Sequence, residues 1–162
     1  MRVARSRDGL NVELASEQDT ARLGRALADL VEPGMVIGLV GPLGAGKTRL
    51  VRAIAEALGV DPEAISSPTF VLIQEYDGRL PIYHFDAYRL PTPESFDDLG
   101  VADYWDSGGV SLVEWADRVR KLLPDDCWTI SLCPTGPSAR SVQIDLPPRH
   151  HHLADRLAEH LA

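Results

Sequence analysis

Gly41-Pro42-Leu43-Gly44-Ala45-Gly46-Lys47-Thr48 fits the pattern GxxxxGK[ST]. Immediately upstream, Met35 to Val40 is a short apolar run that reads as a buried strand. Downstream, Leu50, Val51, Ile54 and Leu58 give a helix its core stripe before Gly59 ends it. Strand, glycine loop and helix in that order are the context in which this motif holds a nucleoside triphosphate, expected here to be ATP. Gly41, Gly44 and Gly46, with Leu43 and Ala45 between them, let the backbone turn its N–H groups toward phosphate oxygens, and the helix adds the positive end of its dipole. Lys47 supplies a point charge and Thr48 offers a hydroxyl to Mg²⁺. Lys47 is one of only two lysines, the other being Lys121. It is expected to be an exposed loop charge whose loss spares the fold.

Outward from the loop, Ser16 followed by Glu17, Gln18 and Asp19 marks a helix start. Leu23, Leu27, Leu30 and Val31 carry that helix to the stop at Pro33-Gly34. Phe70 to Tyr76 and Pro81 to Tyr88, joined by Asp77-Gly78, read as a β-hairpin. Thr92-Pro93 opens a short helix through Leu99. Val110 to Val113 is an apolar strand ending at Glu114-Trp115, followed by a helix to Leu123 and a stop at Pro124. Trp128 to Cys133 and Ser141 to Leu146 close the sheet, and Leu153, Leu157 and Leu161 define a last helix. These elements predict an α/β fold, a single P-loop NTPase domain with a mixed central sheet and flanking helices. Its strands are parallel near the glycine loop and antiparallel at one side. One domain spans residues 1–162, with a core of about 11–146 and a C-terminal helix of about 150–162.

Composition narrows the function. With 162 residues, 44% hydrophobic and 25% charged, the chain is an ordinary globular length. No apolar run approaches the roughly 20 residues that span a bilayer, and the arginines among residues 1–8 precede no apolar stretch of a secretory signal, so a cytoplasmic protein is expected. The net charge of -8, from 24 acidic and 16 basic residues, disfavours tight direct binding to a nucleic-acid backbone. Cys127 and Cys133 read as small buried hydrophobes, and His150, His151 and His152 as a solvated helix entry rather than metal ligands.

A P-loop hydrolase also needs an acidic residue at a strand end for Mg²⁺ and a group to orient water. Asp86, after Ile82-Tyr83-His84-Phe85, and Glu114, after Val110-Ser111-Leu112-Val113, both qualify by position, and pattern does not choose between them. Ser66-Ser67-Pro68-Thr69-Phe70 is similar to a switch segment whose Thr69 senses the γ-phosphate, although a serine-rich turn has the same composition.

Taken in order and spacing, GxLGAGKT at Gly41 to Thr48, Ser67-Pro68-Thr69-Phe70, Tyr83-His84-Phe85-Asp86-Ala87-Tyr88-Arg89-Leu90 and Glu114-Trp115 resemble the bacterial TsaE (YjeE) family. The likeness runs from about Ser16 to Arg140. It implies an ATPase required for the threonylcarbamoyladenosine modification of tRNA, acting with the TsaD and TsaB proteins and meeting tRNA only through them. By the same likeness Thr48, Asp86 and Glu114 surround Mg²⁺ and the attacking water, with Lys47 and Thr69 completing the catalytic set. Trp115 lies beside them, and Ser16 and Arg140 touch nucleotide outside the loop. Pro42 departs from the acidic residue usual in the family, and Ala116 from a proline that often follows the Glu-Trp pair. The rival readings are a small-molecule kinase, against which only Arg49 and Arg52 follow the loop as candidate lid arginines, and a nucleotide-gated scaffold with little turnover. A guanine-specific switch lacks its NKxD segment.

Overall fold

The computed structural model describes residues 1–65 and 72–162. Thr69 and the rest of the expected switch segment lie outside the described residues. Among those described, the strands are β1 (Arg2–Arg5), β2 (Gly9–Leu14), β3 (Val36–Val40), β4 (Ile73–Asp77), β5 (Pro81–Asp86), β6 (Val110–Glu114), β7 (Trp128–Pro134) and β8 (Arg140–Asp145). The α-helices are α1 (Glu17–Ala28), α2 (Lys47–Ala57), α3 (Glu94–Asp97), α4 (Val101–Trp105) and α5 (Leu153–Leu161). They build a single α/β domain around one eight-stranded sheet of order β1-β2-β8-β7-β3-β6-β5-β4.

The central run β7-β3-β6-β5 is parallel. Antiparallel strands flank it on both sides, β4 at one end and β8, β2 and β1 at the other. This corrects the expectation of antiparallel strands at one side only. The N-terminal residues were not read as strands, yet β2 alternates Leu10, Val12 and Leu14 inward against exposed Asn11 and Glu13, the period of a half-buried strand. The segment after Glu114 is also corrected: Ala116–Leu122 forms 3₁₀ turns with a break at Val119 (φ -123°, ψ 21°) rather than one α-helix.

Alternation along the strands separates two apolar layers. Ile37, Leu39, Leu112, Trp128, Ile130, Val142 and Ile144 face α1, α2 and α5, which contribute Leu23, Leu27, Leu50, Ile54, Leu153 and Leu157. Each such fully buried aliphatic side chain contributes about 1.5–3 kcal/mol over its exposed state. The opposite residues, Val36, Phe85 and Val113, meet Phe96, Val101 and Val119. There Phe85 stacks edge-on against Phe96 (5.6 Å) and Tyr104 (5.4 Å). Helix α1 is capped by Ser16, whose Oγ accepts from Asp19 N (3.3 Å), while Asp19 Oδ2 accepts from Ala15 N (2.8 Å). It packs closely on α2, since a methyl added at Gly24 would lie 2.4 Å from Ala53 Cβ. That contact, and the apolar stripe below it, hold α2 with its first turn at the C-terminal edge of the parallel strands.

Two composition-based expectations change in the fold. Cys133 is exposed and Cys127 only partly covered, its thiol pushed up to about 12 by burial. His150 is buried rather than solvated, and its Nδ1 accepts from Trp128 Nε1 at 2.8 Å. Among the described residues no helix is long and apolar enough to cross a membrane.

Candidate functional site

The glycine loop leaves the end of β3 and returns the chain into α2. Gly41 has φ 153°, and a Cβ there would stand 2.4 Å from the Leu132 carbonyl oxygen of the neighbouring strand. Gly46 has φ 103° and precedes α2 without a side-chain cap. The first N–H groups of α2 therefore have no capping side chain, and the positive end of its dipole points toward the cleft. From β8, Arg140 reaches across to the loop, with Nε donating to Ala45 O (2.8 Å) and Nη2 to Gly44 O (3.2 Å). Leu43 projects from the tip, 79% exposed.

Lys47 is not the exposed charge expected from its place in a loop. It is 5% exposed, and its Nζ donates to Gly41 O (2.6 Å) and Pro42 O (2.9 Å). The ammonium also sits 3.9 Å from the centroid of the Trp115 ring. Desolvation lowers its pKa from the usual lysine value, opposed by the negative charges of Glu114, Asp117 and Asp86. Trp115 is held in the left-handed region (φ 58°) and stacks on Tyr88, with ring centroids 4.7 Å apart. Among the described residues it is the one non-glycine with positive φ, a strained conformation that turns the indole from the end of β6 onto the lysine.

Parallel pairing of β5 and β6 puts Asp86 opposite Glu114. The two acids then part company. Glu114 is 3% exposed with both oxygens engaged: Oε1 accepts from Thr48 Oγ1 at 2.7 Å, and Oε2 contacts His84 Nε2 at 2.6 Å. Asp86 is only partly covered, and its Oδ1 caps the following 3₁₀ turn by accepting from Tyr88 N (3.0 Å). Arg118 ties that turn down, donating to Tyr88 O (2.5 Å) and Leu90 O (3.1 Å).

A cleft of about 430 Å³ opens here, with Glu17, Arg49, Tyr88 and Arg89 among its lining. The structure thus gathers Leu43, Gly44, Ala45, Gly46, Lys47, Thr48, Asp86, Glu114, Trp115 and Arg140 around one space. Gly41 lies beneath it, and Ser16 serves as the α1 cap beside Glu17. Sequence reasoning assigned no role to Tyr88, Arg89 or His84, although all three fall in a stretch it singled out. A second cleft of similar size lies beneath the 3₁₀ turns after Trp115, near Asp117, Cys127 and Asp145. Its lining sets Asp117, Asp125 and Asp145 against Arg120 alone, so of the two the glycine-loop cleft is the better equipped for an anionic ligand.

The fold and site define a class: an α/β domain with a mixed eight-stranded sheet, flanking helices, and a polar cleft at the junction of a central strand and helix. Over its whole length it is similar to a crystal structure of YdiB from Bacillus subtilis, with a TM-score of 0.77 and 32% identity over 99% of this chain and 98% of that one. Residues 14–142 match the family model for the threonylcarbamoyl adenosine biosynthesis protein TsaE. The tRNA threonylcarbamoyladenosine biosynthesis protein TsaE of Treponema pallidum is 47% identical over 117 residues, covering 72% of this chain and 86% of its own. The Bacillus subtilis protein of the same name is 37% identical over 145 residues, 88% and 90% respectively. The chain belongs to the TsaE family, whose place is in threonylcarbamoyladenosine biosynthesis on tRNA.

Proposed function

We propose that this chain binds and hydrolyses ATP in the cytoplasm as the nucleotide-driven subunit of tRNA threonylcarbamoyladenosine formation, working with TsaD and TsaB. The observation that carries the reading is the contact of Thr48 Oγ1 with Glu114 Oε1, at the head of a helix that begins with a buried lysine. The triphosphate lies along the glycine loop, its charge met by the α2 N-terminus and by Lys47, with Arg49, Arg89 and Arg140 at the walls. Thr48, Glu114 and Asp86 offer one hydroxyl and two carboxylates, hard oxygen donors of the kind that Mg²⁺ takes together with phosphate oxygens. Held by these residues, Mg²⁺ would supply charge neutralisation on the transferring phosphoryl group.

In this reading the two acids have different tasks. Glu114, fixed on both oxygens beside Thr48, is the metal-side acid. Asp86 has Oδ1 committed to the backbone and Oδ2 left to orient water for attack on the γ-phosphorus as the bond to the bridging oxygen of ADP breaks. The net charge of -8 suits a subunit that leaves tRNA to its partners. The test is phosphate release with TsaD and TsaB present, alongside nucleotide binding on the same samples. Asp86→Asn and Glu114→Gln are expected to lose hydrolysis more than binding, and Glu114→Gln is expected to fail to sustain multiple-turnover modification of tRNA. Wild-type rates in both variants would overturn the assignment. Full modification without this chain would overturn the function.

A further inference from the structure

We propose that His84 is the positioning residue of the site. It fixes one oxygen of Glu114 so that the other faces Thr48 and the metal side of the cleft. This rests on the ATPase reading above. The side chain projects from β5 on the α2 side of the sheet, next along that face from Asp86, and is 1% exposed. It does not line the cleft, so it acts through Glu114 rather than on a ligand. Its Nε2 stands 2.6 Å from Glu114 Oε2, while Glu114 Oε1 takes the Thr48 hydroxyl at 2.7 Å.

A carboxylate only accepts, so Nε2 carries the hydrogen and donates it. Among the described residues the ring's other nitrogen, Nδ1, is buried without a hydrogen-bond partner, which suits a lone pair better than an N–H. One tautomer is thereby selected, and the imidazole has a single polar task. A terminal carboxylate torsion is broad and roughly two-fold, so an unanchored Glu114 would exchange its oxygens and swing away from Thr48. Anchored at Oε2, it presents Oε1 in one direction before any ligand arrives, and no ordering of Glu114 is then needed at the moment of reaction. Glutamate alone would supply the charge. The histidine supplies its aim.

Replacing a partner that orients a ligating group commonly costs about 10–100-fold in activity or metal affinity. His84→Leu is therefore expected to lower kcat of the partner-stimulated ATPase by about 10–100-fold, with KM for ATP little changed, because the loop and Lys47 are untouched. His84→Gln, whose amide nitrogen reaches the place of Nε2, is expected to recover most of that loss. His84→Asn puts its amide at the place of Nδ1 and is expected to stay slow. A role confined to packing predicts instead that Gln and Asn behave alike. Should the Leu variant not fold, the Gln and Asn pair still decides, and ¹⁵N spectra of wild-type imidazoles give a further reading without any substitution. A hydrogen on His84 Nε2 supports the proposal. An Nε2 without a hydrogen, a Leu variant at the wild-type rate, or Gln and Asn variants equally slow would overturn it. Absence of phosphate release by the wild-type protein with its partners would instead overturn the ATPase reading, and the tautomer would still report on the His84–Glu114 contact.

Discussion

Removing the Lys47 ammonium tests the loop directly, and the structure sets the size of the effect. An ammonium has three N–H donors. Two are committed to Gly41 O and Pro42 O, at 2.6 and 2.9 Å, which leaves one for a phosphate oxygen without breaking either. A hydrogen bond to a charged group contributes about 1.5–3 kcal/mol. Lys47→Ala is therefore expected to weaken ATP binding by roughly ten- to a hundredfold, rather than by the far larger factor a bare Coulomb sum would suggest. Stability moves in two opposing directions. The substitution removes a desolvated cation, which is favourable, and leaves two loop carbonyls and the Trp115 face without their donor, which is not. The net change in unfolding free energy is expected within about 1 kcal/mol, small enough for the variant to fold. Equilibrium titration with a fluorescent ATP analogue, and chemical denaturation of the same sample, measure both numbers. A folded variant with unchanged affinity would refute the assignment of the loop. A variant that loses several kcal/mol would show that the lysine is chiefly a structural strut.

Two further outcomes follow from the fold around the site. His150 is held below its ordinary pKa of about 6.5 by burial and by Arg149, with Asp126 and Glu32 acting the other way. Above that value both states are neutral there. As pH falls through it the unfolded chain takes a proton that the folded one resists, so stability is lost until the folded pKa is reached. Tm is thus expected to fall between pH 7 and 5, by less in His150→Asn, and equal slopes in the two proteins would refute this. Gly41→Ala forces a Cβ to 2.4 Å from Leu132 O at φ 153° and is expected to cost about 1–3 kcal/mol. A lowered denaturation midpoint checks it, and an unchanged midpoint would mean that the loop relaxes freely.

Much of this was legible in the chain itself. Apolar periodicity and turn residues located α1, β3, α2, the β4–β5 hairpin, β6, β7, β8 and α5, because each follows from residues a few positions apart. The loop was legible for the same reason, its glycines and lysine falling within seven residues, Gly41 to Lys47. The break at Val119 left no such mark, since the apolar spacing of 3₁₀ turns and an α-helix is nearly alike over one or two turns. Strand β2 was there to be read in Leu10, Val12 and Leu14, but a short alternation near a terminus carries weight only once β8 is seen beside it.

What the sequence by itself determined is therefore the order of elements, the glycine loop, and a short roster of acids. Only tertiary structure decided which acid stands where. Glu114 and Asp86 look alike as strand-end carboxylates, and they differ because Thr48 and His84, 66 and 30 residues away from Glu114, close on one of them. It decided too that Lys47 is buried under Trp115 and that His150 lies against Trp128. The physical reason is common to all three. A side chain's dielectric surroundings and hydrogen-bond partners are set by distant segments that meet across the sheet, whereas local pattern records only which face of its own helix or strand a residue occupies.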